Sequence, residues 1–465
     1  MSANTPKQCI WNIDMKSQKD WVTTTSQAHS RGERDRVVRK IMWRLLPFLF
    51  VAYVFCYIDR VNIGFAALTM NKDLGLTASE FGFGAGLFFI GYFIFEVPSN
   101  LLMQRFGPRV WIARIMISWG VISAFCAFVQ GPITYGIVRF LLGLAEAGFT
   151  PGIFLFLTLW FPSEARNRAT AIFMASVPVA NIVGSLLSGT LLSVRGFAGL
   201  KDWQALLVLE ALPAVILGIL CLFVLVDRPR DARWLTADER LLIENELSLE
   251  RQALAARHGD KLRGALSDWK VYALAGIYFC YICGSVGIGL WLPQIIHGFG
   301  LKAAEVGVVA AVPYACGAVG MVFWSSLAGN GPRRIRFAAG AMLVAAITLA
   351  ASAAIEYPLL KMIGITLTVT FMLGFQAIFL SLPSGFLTGR AAAGGLAVII
   401  SIGNLGGFAG PYLIGYVKQT SGSFTTALLL VAFALLVAAV GTWLLGDPAD
   451  RIDGKRRTLT STVKV

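Results

Sequence analysis

Charged side chains interrupt several long apolar stretches of this sequence. Acidic and basic groups are both present, so these stretches could pair opposite charges, bind an ion or carry a proton. A charge is costly to remove from water unless it is paired, and therefore each such position is a candidate for function. The side chains concerned are Asp59, Arg60, Glu96, Arg139, Glu146 and Glu210.

The spacing of these charges predicts which of them face one another on a helix. Arg139 and Glu146 are seven residues apart, almost two turns, so they share one helix face. Asp59 is turned about 100° away from Arg60, because successive helical residues differ by that angle. Arginine holds a carboxylate bidentately and keeps its charge, whereas a buried carboxyl beside an arginine is balanced between charged and neutral forms. These four residues therefore predict an anion site coupled to protonation of Asp59 and Glu146.

Uncharged polar side chains extend the candidate binding site. Tyr57 lies three residues before Arg60, and Tyr92 lies four residues before Glu96, so each tyrosine shares a face with the charge that follows it. Further candidate ligand contacts occur in the second half of the chain, at Gln376, Ser384 and Asn404.

Structural ion pairs between helices are the alternative interpretation, because two acids and two arginines sum to zero charge. The spacing leaves Glu96 open to either role. The position of Glu210 near one end of its apolar stretch favours a packing contact. Cys280 and Cys283 lie on an apolar stretch without a second pair, so no metal site is expected. No nucleophile–base arrangement is evident either. The sequence therefore predicts neither an enzyme nor a bound cofactor.

The elements that position these residues are long and apolar. The chain has 465 residues, with 56% hydrophobic, only 14% charged and a mean hydropathy of +0.69. Soluble domains carry about 25% charged residues, so a water-soluble enzyme is excluded. A chain this apolar is not disordered, and seven cysteines in 465 residues do not form a disulfide scaffold. Crossing a bilayer requires helices of about 20 apolar residues. We predict an all-α membrane protein with twelve transmembrane helices, over 44–68, 81–103, 110–129, 133–158, 168–192, 204–226, 271–296, 304–328, 335–355, 358–380, 391–417 and 424–446.

A polar stretch over 227–270 divides the predicted helices into six and six. The predicted domains are an N-terminal tail (1–43), a six-helix half (44–226), the central loop (227–270), a second six-helix half (271–446) and a C-terminal tail (447–465). Of the 40 lysines and arginines, 32 lie in the tails, the central loop and the loops on the same side, against six on the other side. Loops rich in these residues stay in the cytoplasm. Both termini and the central loop are therefore expected there. This bias also accounts for the formal charge of +14 without a nucleic-acid partner.

Six plus six helices with cytoplasmic termini resemble the major facilitator superfamily, whose members bind substrate between two halves near the midplane. The loop QRFGPR at 104–109 is similar to the loop signature of that superfamily, although Gln104 stands where an acid is usual. More specific motifs are YIDRVNIG (57–64), GYFIFEVPSN (91–100), RFLLGLAEAG (139–148), DRP (227–229), WLT (234–236), WLP (291–293) and GNLGG (403–407) followed by GP (410–411).

Together these motifs resemble the anion:cation symporter family, and most closely its tartrate, 4-hydroxyphenylacetate and phthalate permeases. The resemblance implies that Asp59 and Glu146 couple transport to protons. It implies that Arg60 and Arg139 bind the anion or pair with those acids. Cavity-lining roles are implied for Tyr57, Tyr92 and Asn404.

The expected function is proton-coupled uptake of a small organic anion across the bacterial inner membrane. The expected partners are that anion, protons and the lipid bilayer. The substrate would be tartrate, another sugar acid or an aromatic carboxylate. Efflux or uniport by the same fold, and a receptor that binds solute without transport, are the alternatives.

Overall fold

The computed structural model describes residues 15–194, 197–256, 268–329, 333–379, 382 and 389–446. Over these ranges the chain is helical, and twelve helical segments have the length and composition to cross a membrane. These spans, numbered in chain order, are Gly32–Asp73, Ala78–Phe106, Pro108–Phe128, Pro132–Trp160, Ser163–Leu191, Asp202–Val224, Trp269–His297, Ala303–Ala328, Arg333–Ala354, Pro358–Phe379, Gly394–Ser421 and Phe424–Leu445.

Each of the twelve predicted stretches coincides with a span, which confirms the fold class. Most spans differ by a few residues from the predicted stretches, whereas the first begins twelve residues earlier. Capping groups set both ends of the second span. Thr77 begins the second span, with its backbone amide donating to Glu80 Oε2 at 2.9 Å and its hydroxyl accepting from the Glu80 amide at 3.2 Å. Gly107 ends that span at φ +86°, a conformation that favours glycine. The first helix is the longest, since Met15–Asp73 continues beyond the span.

Three spans are each built from two helices. The fourth consists of Pro132–Glu146 and Phe149–Trp160, separated at Gly148 with φ +87°. A side chain at Gly148 would collide with Ser99 of the second span. The fifth divides at Ala175, between Ser163–Met174 and Ser176–Leu191. The eleventh divides at Leu405, between Gly389–Asn404 and Gly406–Ser421, within the GNLGG motif.

We call the side on which the first span begins the terminal side and the opposite side the far side. An even number of spans returns the chain to the terminal side after the twelfth. The six-span sets approach most closely in their far halves. A Cβ at Gly82 of the second span would lie 3.0 Å from the Pro411 carbonyl carbon of the eleventh. A Cβ at Gly189 of the fifth would lie 2.7 Å from Gly307 Cα of the eighth. Small residues therefore close the far side.

The central segment packs against the first six spans on the terminal side. Its helix, Ala237–Ala256, begins with a capping box, in which the Glu239 amide donates to Thr236 Oγ1 at 3.2 Å and the Thr236 amide donates to Glu239 Oε2 at 2.9 Å. Ring stacking of Trp160 on Trp234, with centroids 5.6 Å apart, adds an apolar contact. Three ion pairs connect this helix to the terminal ends of two spans. Arg34 and Lys40 of the first span pair with Glu246 at 2.8 Å and with Glu239 at 2.7 Å. Arg166 of the fifth span pairs with Glu250 at 2.9 Å.

Candidate functional site

Two adjoining chambers lie at the centre of the protein, between the two six-span sets. The chamber towards the far side has a volume of about 160 Å³, and the chamber towards the terminal side about 190 Å³. Residues from both sets line each chamber, so a solute bound here would touch both halves of the chain. The polar residues common to the two chambers are Tyr57, Arg60, Tyr278, Gln376 and Asn404.

A buried ion pair forms part of the wall of these chambers. Arg60 Nε donates to Glu146 Oε1 at 2.8 Å, and the Arg60 Nη2 donates to the same oxygen. The thiol of Cys56 donates to that oxygen as well, at 3.2 Å. Glu146 is fully buried, and its Oε2 has no hydrogen-bond partner among the described residues. The pair joins the first span to the fourth and leaves one carboxylate oxygen unsatisfied.

Aromatic rings surround the Arg60 guanidinium. Its central carbon lies 5.1 Å from the ring centroid of Tyr57, 5.4 Å from that of Phe88 and 5.5 Å from that of Tyr92. Ring faces attract a cation within about 6 Å. These contacts hold the charge at the cavity wall without neutralising it, so Arg60 can still receive an anion if Glu146 releases it.

Arg139 contributes a second cation to the far-side chamber. Its guanidinium carbon lies 5.1 Å from the ring centroid of Phe88, the same ring that contacts Arg60. Arg139 is 4% exposed, and its Nε has no hydrogen-bond partner among the described residues. A buried donor without a partner costs about 1–3 kcal/mol, more when it is charged. A ligand carboxylate in this chamber would satisfy it.

Asp59 points away from the chambers, as its helical offset from Arg60 predicts. Ser123 of the third span donates to Asp59 Oδ1, and Asn62 Nδ2 donates to the same oxygen at 3.3 Å. Asp59 is 3% exposed, and its Oδ2 lacks a partner among the described residues. Asp59 therefore belongs to a buried network inside the first six spans rather than to the wall that would contact a solute.

The terminal-side chamber contains the remaining candidates of the first half. Tyr92 and Glu96 both line it, and Ser401 of the eleventh span donates to Glu96 Oε2 at 3.0 Å. This hydrogen bond joins the two six-span sets on the terminal side of Arg60. Ser384, a predicted binding residue, lies outside the described residues.

The family follows from comparison with known proteins. The model of the Major Facilitator Superfamily matches residues 49–411. A protein of Agrobacterium vitis that carries the name "Putative tartrate transporter" is 47% identical over 416 residues, covering 90% of this chain and 92% of that protein. The chain belongs to the major facilitator superfamily.

Other similar proteins share this architecture. The "Quinolone resistance transporter" of Acinetobacter baumannii is 36% identical, with 90% of this chain and 96% of that protein covered. A solved structure of a bacterial homologue of the human lysosomal transporter Spinster has a TM-score of 0.70 at 16% identity, covering 86% of this chain and 96% of that one, and so supports the fold alone. These relatives are transporters, and a transporter of this superfamily takes a small-molecule substrate.

This facilitator also presents cavity residues that the sequence analysis did not select. Tyr278, Tyr281 and Ser285 of the seventh span line the far-side chamber, together with Tyr314 of the eighth. The seventh-span residues recur at intervals of three and four, so a polar stripe on an apolar helix was the available signal. Tyrosine and serine carry no charge, so their presence in an apolar helix is a weaker sign of function than a buried acid or arginine.

Proposed function

We propose that this facilitator is a proton-coupled importer of a small organic anion, in a bacterial inner membrane with both termini in the cytoplasm. The carrying observation is the Arg60–Glu146 pair at the wall of a cavity that also contains Arg139. Two arginines face the cavity, whereas Glu146 is the acid that pairs with one of them. Protonation of Glu146 would release Arg60 and raise the charge at the cavity wall by one.

The ion pair supplies a mechanism for coupling. A proton taken up by Glu146 breaks the electrostatic bond to Arg60, and the substrate carboxylate replaces Glu146 as the partner of that guanidinium. Arg139 offers its free Nε to the same anion, while Tyr57, Gln376 and Asn404 provide orienting polar groups. The halves then rock about the site, and loss of the proton lets Glu146 recapture Arg60 and displace the anion.

The charge bias supports the direction of the cycle. The lysine- and arginine-rich terminal side is expected to be cytoplasmic. Because small residues close the far half, the described arrangement would then be the one that discharges solute inward. If net positive charge enters with the anion, an inside-negative potential adds about 2.3 kcal/mol per charge per 100 mV.

Cavity size and relatives support a small acid as substrate. Each chamber, at about 160 and 190 Å³, is smaller than the roughly 300–1,000 Å³ of pockets that bury drug-sized ligands. The name of the Agrobacterium vitis relative points to tartrate. We propose tartrate first, then other sugar acids and small aromatic carboxylates.

The test is uptake into proteoliposomes with an imposed pH gradient. Labelled tartrate, galactonate, 4-hydroxyphenylacetate, phthalate and nicotinate are compared, with and without a protonophore. Accumulation that the protonophore abolishes supports proton-coupled import and identifies the substrate. Exchange of an acid without accumulation in any gradient would overturn the coupling while retaining the transporter.

Efflux or uniport is the second candidate, because the Acinetobacter baumannii relative is named for quinolone resistance. A sidedness assay separates the two directions. Vesicles of known orientation are loaded with the acid or with a quinolone, and a proton gradient is imposed from each side. Gradient-driven export of either compound, with no gradient-driven import, would replace the import proposal.

A further inference from the structure

A line of buried polar side chains runs through the first six spans, outside the substrate chambers. We call it the polar ladder and define it as Ser188, Glu210, Asn62, Asp59 and Ser123. Ser188 donates to Glu210 Oε1 at 2.8 Å, and Asn62 Nδ2 donates to Asp59 Oδ1 at 3.3 Å. Asn62 also lies close enough to Glu210 to interact with it electrostatically. The ladder therefore places two carboxyl groups on different spans near one another.

The Ser188–Glu210 end of the ladder lies towards the far side. Ser188 is three residues from the far end of the fifth span, and Glu210 is eight residues from the far end of the sixth. The small residues that close the substrate pathway on that side do not belong to the ladder, which lies within one six-span set.

Glu210 has no cationic partner among the described residues. It is 1% exposed, and its Oε2 makes no hydrogen bond in the described part of the chain. The charged group that acts on it from a neighbouring span is Asp59, another acid. The guanidinium of Arg139 lies within electrostatic range of Asp59, at the other end of the ladder. Ionising two neighbouring carboxyls in such surroundings carries a large electrostatic penalty.

We propose that Glu210 is a second proton-binding site, which receives protons from the far side and exchanges them with Asp59. This inference rests on the proposed coupling of transport to protons. In the exchange, the O–H bond of Glu210 breaks and an O–H bond forms on Asp59, so that the ionised group changes from one carboxyl to the other. The amide N–H of Asn62 can donate to whichever carboxyl is ionised. The ladder would thus return a proton to Asp59 while the solute pathway is closed on the far side.

A packing role alone explains the ladder less well. The hydroxyl of Ser188 satisfies one oxygen of Glu210, and a glutamine would satisfy that contact without any risk of a buried charge. The unpartnered Oε2 is where a proton would be bound. The packing role and the proton-binding role therefore differ in whether Glu210 titrates.

Infrared difference spectroscopy of the purified full-length protein in detergent tests this directly, without substrate. We expect a C=O band of protonated carboxyl in the wild type that is lost as the pH rises. Glu210→Gln should remove one titrating component of this band and shift the midpoint of the component that Asp59→Asn removes. Glu305→Gln is the matched control, since it makes the same substitution at an exposed position near the far end of the eighth span.

Two further variants distinguish loss of the Glu210 carboxyl from misfolding. Ser188→Ala keeps the carboxyl and removes its hydrogen bond, so it should shift the midpoint of the Glu210 component. Glu210→Asp should restore a titrating band. A titration in Glu210→Gln that is identical to that of the wild type would overturn the proposal.

The proposed function can fail separately. A titrating Glu210 in a protein that shows no proton-driven accumulation of any acid would leave the proton site standing and reject the symport. Proton-driven accumulation with an identical pH profile in wild type and Glu210→Gln would support the symport and reject the proposed role of Glu210 in it.

Discussion

Arg60 and Glu146 form an ion pair across 86 residues of sequence, with Arg60 Nε donating to Glu146 Oε1 at 2.8 Å. The acid is fully buried, whereas the arginine faces the two central chambers. One partner is therefore accessible to a solute and the other is enclosed by protein. In the proposed mechanism, this asymmetry lets an anion compete for Arg60, and the charge of Glu146 controls that competition.

Neutralising Glu146 should separate anion binding from proton coupling. In Glu146→Gln the charge of Arg60 is no longer paired with an acid, so we expect anion binding whose affinity varies less with pH than in the wild type. Accumulation driven by a pH gradient should fall at least about tenfold, because the proton that releases Arg60 has no site. Calorimetric titration at several pH values and proteoliposome uptake measure the two effects. Glu164→Gln, at an exposed terminal-side acid, is the control. Unchanged accumulation in Glu146→Gln would contradict the mechanism.

Replacing Arg139 should weaken binding without breaking an ion pair that the structure records. Lysine keeps the charge but loses the planar fork that a carboxylate accepts. We expect Arg139→Lys to raise the dissociation constant of the transported acid about 10- to 100-fold, which corresponds to the roughly 1.5–3 kcal/mol of a charged hydrogen bond. Arg114→Lys is the matched control, since Arg114 stacks on Trp111 at 4.1 Å on the third span and lines neither chamber. Equal affinities in the two variants would exclude Arg139 from the site.

Enlarging Gly82 should open the far side. Its Cβ would lie 3.0 Å from the Pro411 carbonyl carbon, so Gly82→Leu forces the second and eleventh spans apart. A cysteine introduced by Ser285→Cys in the far-side chamber, in a variant otherwise free of cysteine, should then react faster with an impermeant maleimide added from that side. Gly276→Leu is the control, because a Cβ there meets no atom within 4 Å. Equal labelling rates in both variants would show that this contact does not hold the far side closed.

The contact between Lys40 and Glu239 should give a small, pH-dependent contribution to stability. The hydrogen bond from Lys40, followed by that from the Thr236 amide, lowers the pKa of Glu239 below its ordinary value. A lowered carboxyl pKa means that the stabilisation is present above the unfolded value of about 4.3 and is lost as the pH falls through the folded value. Glu239→Gln should cost no more than about 1 kcal/mol at pH 7, because the pair is close to water.

Thermal unfolding in detergent micelles at pH 7 and near pH 4 measures this difference. Glu244→Gln, five residues further along the same helix, is the control. The destabilisation of Glu239→Gln relative to the wild type should shrink at the lower pH. A difference that stays constant between the two pH values would show that the charge of Glu239 does not stabilise the contact.

Apolar length and helical periodicity were sufficient to predict the twelve spans and the local direction of their side chains. A bilayer accepts only helices that satisfy their own backbone groups, so apolar length is sufficient to predict each span. Helical periodicity likewise predicts that Asp59 and Arg60 point in different directions, and the structure places Ser123 against one and Glu146 against the other. These features depend on residues within one helix.

Which charges form contacts depends on how the spans pack together, and the sequence pattern did not predict it. The spacing placed Arg139 and Glu146 on one stripe of the fourth span, yet Glu146 pairs with Arg60 of the first. Glu210, which resembled a packing residue in the sequence, accepts a hydrogen bond from Ser188 and lies within electrostatic range of Asp59. The physical reason is that periodicity specifies a direction about a helix axis, whereas contact between spans depends on their relative depth and rotation, which packing against every other span determines together.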